Sequence, residues 1–109
     1  MHSTLIVGRM QPRLSTQVAE LFSAFDQTDM PLRMGTRRRE LFSYQGLYFH
    51  LQDFDGEYGA ERILQARTDP RFIKISDDLK AYIEAYDPAT WTSPADAMAT
   101  RFYHWEQRG

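Results

Sequence analysis

The sequence predicts an α+β fold in which strands and helices follow the order βαββαβ, with four strands in one antiparallel sheet. Three observations carry that expectation. Residues 35–44 and 47–53 alternate in character, are rich in aromatic and aliphatic types, and are joined by Gln45-Gly46, as in a β-hairpin closed by a tight turn. Ahead of the hairpin, a strand-like run leads into apolar residues at helical spacing. Behind it, a second helical stripe leads into a closing alternation. Two strand-helix-strand crossovers joined by a hairpin make the split βαβ, or ferredoxin-like, arrangement, and right-handed crossovers leave few other topologies.

In chain order, Thr4 to Met10 is predicted as the first strand. Leu5, Val7 and Arg9 alternate there with Ile6, Gly8 and Met10, and because both sets are largely apolar the strand belongs at the centre of the sheet. Pro12 closes it, and Ser15 is expected to cap a helix whose buried stripe is Val18, Leu21, Phe22 and Phe25. That helix is expected to stop near Asp26-Gln27-Thr28-Asp29, since Pro31 lacks an amide hydrogen and disfavours helical geometry in the residue before it. The hairpin supplies strands two and three. Asp53 to Glu57 reads as a turn, and Ala60, Ile63, Leu64 and Arg67 as a short helix. Asp69 suits an N-cap with Pro70 at the first helical position, and the stripe Phe72, Ile75, Leu79, Tyr82, Ile83 and Tyr86 carries this last helix to Asp87-Pro88. A final strand is expected from Ala97 to Trp105, where Met98, Thr100, Phe102 and His104 alternate with Ala99, Arg101, Tyr103 and Trp105.

With 109 residues the chain is expected to form one domain, residues 1–109, large enough to bury a core without disulfides, and it has no cysteine to form one. A hydrophobic content of 42% argues against disorder. No apolar run approaches the roughly 18–20 residues of a membrane span, and no apolar signal core opens the chain, so the cytoplasm is the expected location. A net charge of −2 argues against a nucleic-acid binder, and the glycine-aromatic signature of an RNA-recognition sheet is absent. His2, His50 and His104 have no histidine at ligand spacing, so no metal is expected. Only Lys74 and Lys80 among the basic residues are lysines. The planar fork of arginine suits carboxylate or enolate oxygens, although the codon usage of a high-GC genome gives the same composition.

The hairpin also sorts side chains by face. If Tyr44 stands opposite Leu47, then Phe42 meets Phe49, Leu41 meets His50 and Arg39 meets Gln52. Phe42, Tyr44, Leu47, Phe49 and Leu51 then make an apolar face. Arg37, Arg39, Ser43, Tyr48, His50 and Gln52 share the other with Leu41. Arg39 and His50 become diagonal neighbours about 7–8 Å apart, within reach of one ligand. Helices cover only one side of such a sheet while the strands are apolar on both, so a second copy is expected on the bare face, giving a homodimer of dimeric α+β barrel type.

The chain resembles the tetracenomycin-cyclase-like family of aromatic polyketide cyclases nearly end to end. The resemblance is carried by the first strand ending in Arg9-Met10, Asp26-Gln27-Thr28-Asp29-Met30-Pro31-Leu32, Gly35-Thr-Arg-Arg-Arg39, Leu47-Tyr-Phe-His-Leu51, Leu64-Gln-Ala-Arg67 with Pro70 after it, and Phe102-Tyr103 with Trp105. It implies ring closure of a poly-β-ketone by intramolecular aldol condensation and dehydration, with no metal or organic cofactor, on a small-molecule substrate that is free or presented by an acyl carrier protein. It also implies a pocket between helices and sheet with Asp26, Arg39 and His50 as the catalytic polar groups. Phe25 stands where some members of the family have a histidine.

A methylene between two carbonyls is acidic enough for a moderate base, and histidine is such a base, so His50 is the candidate for proton transfer. Arg39 would hold an enolate or alkoxide by charge-assisted hydrogen bonds, and Asp26 would orient a partner or serve as alternate base. Phe22, Phe25, Tyr48, Phe72, Tyr82, Tyr103 and Trp105, with Arg37, are the candidate substrate-binding residues, the aromatic ones as walls that select one folded form of a flexible chain. Each also has a structural reading. Arg39 suits an ion pair with Asp26 or Glu40, His50 a satisfied sheet histidine, Asp26 a turn residue, and Tyr103 and Trp105 a dimer contact. Two other functions fit the same fold: a cofactor-independent monooxygenase acting on a phenolic polyketide, and a non-catalytic polyketide-binding chaperone.

Overall fold

The computed structural model describes residues 2–56, 59–91 and 94–107. Its hairpin turns on Gln45 at φ 46° and Gly46 at φ 83°, both left-handed, the geometry whose twist matches that of the flanking strands. Strands β2 (Thr36–Tyr44) and β3 (Leu47–Phe54) leave the turn in the register read from the sequence, with Tyr44 opposite Leu47, Leu41 opposite His50 and Arg39 opposite Gln52. A bulge between Thr36 and Arg38 takes Arg37 out of the alternation. The Arg37 guanidinium therefore bonds to Asp55 on the surface, at 3.1 Å, instead of facing the helices.

Strand β1 (His2–Met10) runs antiparallel to β3 from His2 opposite Phe54 to Arg9 opposite Leu47. Its other edge is shared. Residues Gly8 to Met10 pair with a short strand β4 (Ile83–Ala85), and further along Ile6 makes a single bridge to Met98. The sheet order is β2-β3-β1-β4, all neighbours antiparallel, so the first strand is central as its two apolar faces require.

Four helices join these strands. Helix α1 (Ser15–Asp26) buries Val18, Phe22 and Phe25 on its stripe. Ser15 does not cap it: the helix is entered through a 3-10 turn at Pro12–Leu14, and the Ser15 hydroxyl donates back to the Pro12 carbonyl. A short helix α2 (Met30–Met34) follows where the sequence suggested only a break. Pro31 occupies its first turn, where no amide hydrogen is needed, and Met30 and Met34 are buried. Helices α3 (Gly59–Ala66) and α4 (Pro70–Leu79) complete the layer, and the Asp69 carboxylate accepts from the Arg71 amide at 2.9 Å as the predicted N-cap. Among the described residues no helix is long and apolar enough to cross a membrane.

Two expectations about the last third are corrected. The stripe from Phe72 to Tyr86 is not one helix: α4 ends at Leu79, and Ile83 sits in β4. The spacing of Tyr82, Ile83 and Tyr86 happens to continue a helical period, but a β-branched residue and a neighbouring free edge on β1 favour the strand. The expected strand Ala97 to Trp105 is absent: β4 takes the Gly8 to Met10 part of that edge, and the residues after Ala99 do not pair along the rest of it. Only the Met98 bridge and an Ala99 amide bond to the Leu5 carbonyl remain of it. Beyond them Phe102, Tyr103 and Trp105 are 98%, 76% and 67% exposed.

The sheet has one covered and one bare face. Ile6, Met10, Tyr48, His50, Gln52 and Phe54 are buried beneath the helices with Val18, Phe22, Met30, Ile63 and Ile75. On the other side Val7, Phe49 and Phe42 align across three strands with no helix over them among the described residues, and Phe42 and Tyr44 are 49% and 62% exposed.

Candidate active site

A cavity of about 600 Å³ lies between the helices and the covered face of the sheet. Its walls are mostly apolar: Phe22 and Phe25 from α1, Ile63 from α3, Phe72, Ile75 and Leu79 from α4, Ile83 from β4, with Trp91 beyond it. Its polar lining comes from the hairpin, through Arg39, Tyr48, His50 and Gln52, and from Ser76, Lys80 and Glu84 around α4 and β4. The alternation of β3 puts Tyr48, His50 and Gln52 on one side, and the cross-strand register brings Arg39 beside them.

Arg39 is held from two directions. Its Nε and Nη2 donate to the Asp26 carboxylate at 3.0 and 2.9 Å, and its Nη1 lies 2.8 Å from His50 Nε2. The guanidinium also stacks over Phe22, 4.8 Å from the ring centroid, while His50 meets the same ring edge-on at 5.0 Å. Of five guanidinium hydrogens, three are engaged, which leaves one on each terminal nitrogen for a ligand oxygen. The Arg39 side chain is 8% exposed and Asp26 36%, so the charge enters the cavity while its counter-ion stays at the surface.

A guanidinium has only donors, so His50 Nε2 must be the acceptor and the ring is neutral with its hydrogen on Nδ1. Burial, followed by the neighbouring positive charge of Arg39, lowers the His50 pKa to about 3. Burial pushes the Tyr48 phenol the other way, well above its ordinary value, with Arg39 opposing it only in part. At neutral pH the hairpin side of the site therefore holds one cation, one neutral imidazole and one neutral phenol, and Lys80 and Glu84 also line the cavity.

The polyketide synthesis cyclase family model matches residues 2–106 of the chain. The chain belongs to that family. A tetracenomycin F2 cyclase of Streptomyces glaucescens is 36% identical over 104 residues, 95% of this chain and 94% of that protein. A protein of Streptomyces cyaneus named as polyketide synthase CurG is 38% identical over 107 residues, covering 98% and 99% of the two chains. The solved structure of tetracenomycin F2 cyclase, a type-II polyketide cyclase, superposes with a TM-score of 0.91 at 35% identity, over 99% of this chain and all of that one. A putative antibiotic biosynthesis monooxygenase from Nitrosomonas europaea shares the fold alone, with a TM-score of 0.56 at 7% identity over 79% of this chain and 80% of that one. The family resemblance read from the sequence is thus borne out.

In this polyketide cyclase the residues singled out by sequence separate into three groups. Arg39, His50, Phe22, Phe25, Tyr48 and Phe72 all line the cavity. Asp26 is outside the lining and reaches the cavity only through Arg39, which suits an orienting group better than a base. Arg37, Tyr82, Tyr103 and Trp105 are not in the lining: Arg37 is turned out by the bulge, Tyr82 packs against the core, and the last two lie on the exposed terminal segment. Sequence reasoning placed Gln52 on the correct face without naming it a site residue, yet it lines the cavity, 2% exposed, with its amide nitrogen donating to Thr36 Oγ1 at 2.7 Å. Its position two residues beyond His50 was the available signal.

Proposed function

We propose that the chain closes rings of a linear poly-β-ketone by intramolecular aldol condensation and dehydration, with no metal or organic cofactor. The observation that carries this reading is Arg39, locked between Asp26 and His50 with two hydrogens left over in the wall of an apolar cavity. Those hydrogens suit an enolate or alkoxide oxygen, which develops charge in the transition state and is stabilised by donors already in place. His50 can act as the base only once its Nε2 lone pair is freed from the Nη1 hydrogen it accepts, and its proton affinity rises as that bond is lost. The aromatic walls hold a folded chain with reacting carbons together, a contribution that reaches several kcal/mol. The substrate is presented free or on an acyl carrier protein, and the cytoplasm is the proposed location.

The test is ring closure by a reconstituted minimal polyketide synthase, with and without this protein, under anaerobic conditions and with a chelator. Cyclised, dehydrated product is expected to form faster and with narrower regiochemistry when the protein is present. An absolute need for oxygen would replace this reading with the monooxygenase one, and a need for metal would remove its cofactor independence.

The bare sheet face supports a homodimer. Val7, Phe42 and Phe49 form an apolar band there, larger than single scattered residues, and a two-fold copy of the same face is its natural cover. Phe49→Glu is expected to halve the mass measured by light scattering while leaving the circular dichroism spectrum intact. A wild-type protein that is already monomeric at micromolar concentration would count against the dimer.

A further inference from the structure

We propose that Tyr48 orients the substrate: its hydroxyl donates a hydrogen bond to a carbonyl or phenolic oxygen of the bound ligand and thereby sets which carbon stands beside Arg39. This rests on the reading of the cavity as a polyketide site.

Tyr48 is 4% exposed and lines the same chamber as Arg39 and His50, with its ring centroid 6.3 Å from that of His50. Among the described residues no group bonds to its hydroxyl, although Thr4 Oγ1 is the one fully enclosed side-chain oxygen or nitrogen left without a partner. The phenol oxygen is therefore turned to the cavity space. A phenylalanine would fill the same volume without the cost of desolvating a hydroxyl that has no partner, so the oxygen is useful only to something that enters.

The ring is also held in place. It lies across Gly8, its partner on β1, where a Cβ would come within 3.5 Å of Tyr48 Cδ1 and within 3.1 Å of the Glu84 carbonyl. A donor seated on bare backbone has little freedom to lose when a ligand arrives. Burial keeps the phenol protonated, so it donates throughout the working pH range. Tyr48 stands opposite Ser43, four residues along β2 from Arg39, so the two groups rise from backbone positions about 13 Å apart. One ligand oxygen at Tyr48 and another at Arg39 therefore fix two points on a flat molecule, which is enough to set its register.

The test compares wild type and Tyr48→Phe with two probes, 1,8-dihydroxyanthraquinone and anthracene, by fluorescence titration, together with thermal unfolding. The variant is expected to bind the hydroxyquinone roughly five- to ten-fold more weakly, the range of one neutral hydrogen bond. Anthracene affinity should be unchanged and the melting temperature not lowered. Equal hydroxyquinone affinity in both proteins would overturn this role and leave the cyclase reading standing. Equal losses on both probes, or a lowered melting temperature, would make the hydroxyl structural and overturn it as well. Wild-type protein that binds neither probe would remove the polyketide site itself, and the role of Tyr48 with it.

Discussion

Arg39→Ala is expected to slow ring closure by about 10²- to 10³-fold, the usual effect of losing a preorganised donor to a developing oxyanion, while costing only about 1–3 kcal/mol of stability. The asymmetry follows from where its partners sit. Asp26 is 36% exposed and is rehydrated when the guanidinium goes, so the lost ion pair is a weakly stabilising one. The contacts over Phe22 and Phe25, at 4.8 and 5.7 Å, add about 0.5–1 kcal/mol each. In the proposed reaction there is no substitute, because the two hydrogens left over after Asp26 and His50 are met belong to this side chain alone. Arg39→Lys should recover little of the rate, since a single ammonium cannot reach Asp26, His50 and a ligand oxygen from one planar fork. Steady-state turnover and denaturant unfolding of the same preparations make the comparison. A rate within ten-fold of wild type would favour a chaperone that works by shape, and a large stability loss with undiminished turnover per folded molecule would make Arg39 structural.

What the sequence made legible was whatever depended on a period of two next to a turn with one solution. Gln45-Gly46 admits a tight left-handed turn, the turn fixes the register, and the register brings Arg39 to His50 before any coordinate is known. The errors came where tertiary competition decides. Ile83 and the segment from Ala97 were both strand-competent, and only the edge of β1 could determine that Ile83–Ala85 takes the pairing beside Gly8 to Met10. Met30–Met34 was hidden because Pro31 was read as a stop, although in the first turn of a new helix it is a start. The shared face of Arg39, Tyr48, His50 and Gln52 in the candidate site was legible on the hairpin for the same reason as the register. Arg37 was misplaced by a bulge, which shifts a residue out of alternation without a mark in the residue pattern. Tyr103 and Trp105 were assigned as cavity walls on aromatic character alone, and their exposure, 76% and 67%, assigns them instead to the unpaired terminal segment.

The resting site predicts an unusual dependence of stability on acid. An unfolded histidine has its ordinary pKa near 6.5, whereas burial and Arg39 hold His50 at about 3 in the folded chain. Between those values the unfolded chain takes up a proton that the folded one refuses. Stability from this group is therefore complete above pH 6.5 and is lost as pH falls toward 3, at up to about 1.4 kcal/mol per pH unit. From pH 7 to 4.5 the expected loss is about 2–3 kcal/mol, on the order of a quarter of the stability of an ordinary domain. The window above pH 4.5 keeps this effect apart from Asp69, whose carboxyl is held below its usual range by the Arg71 amide and side chain and titrates lower still. His50→Gln keeps an acceptor for Arg39 but cannot protonate. Denaturant unfolding at pH 7, 6, 5 and 4.5 should give the variant a visibly flatter profile than wild type, whatever their relative stabilities at pH 7. Parallel profiles would mean that the imidazole is protonated normally in the folded chain. In that case the Arg39 contact at Nε2 would be broken at mildly acidic pH, and the imidazole proposed as the base would be neutral only in part there.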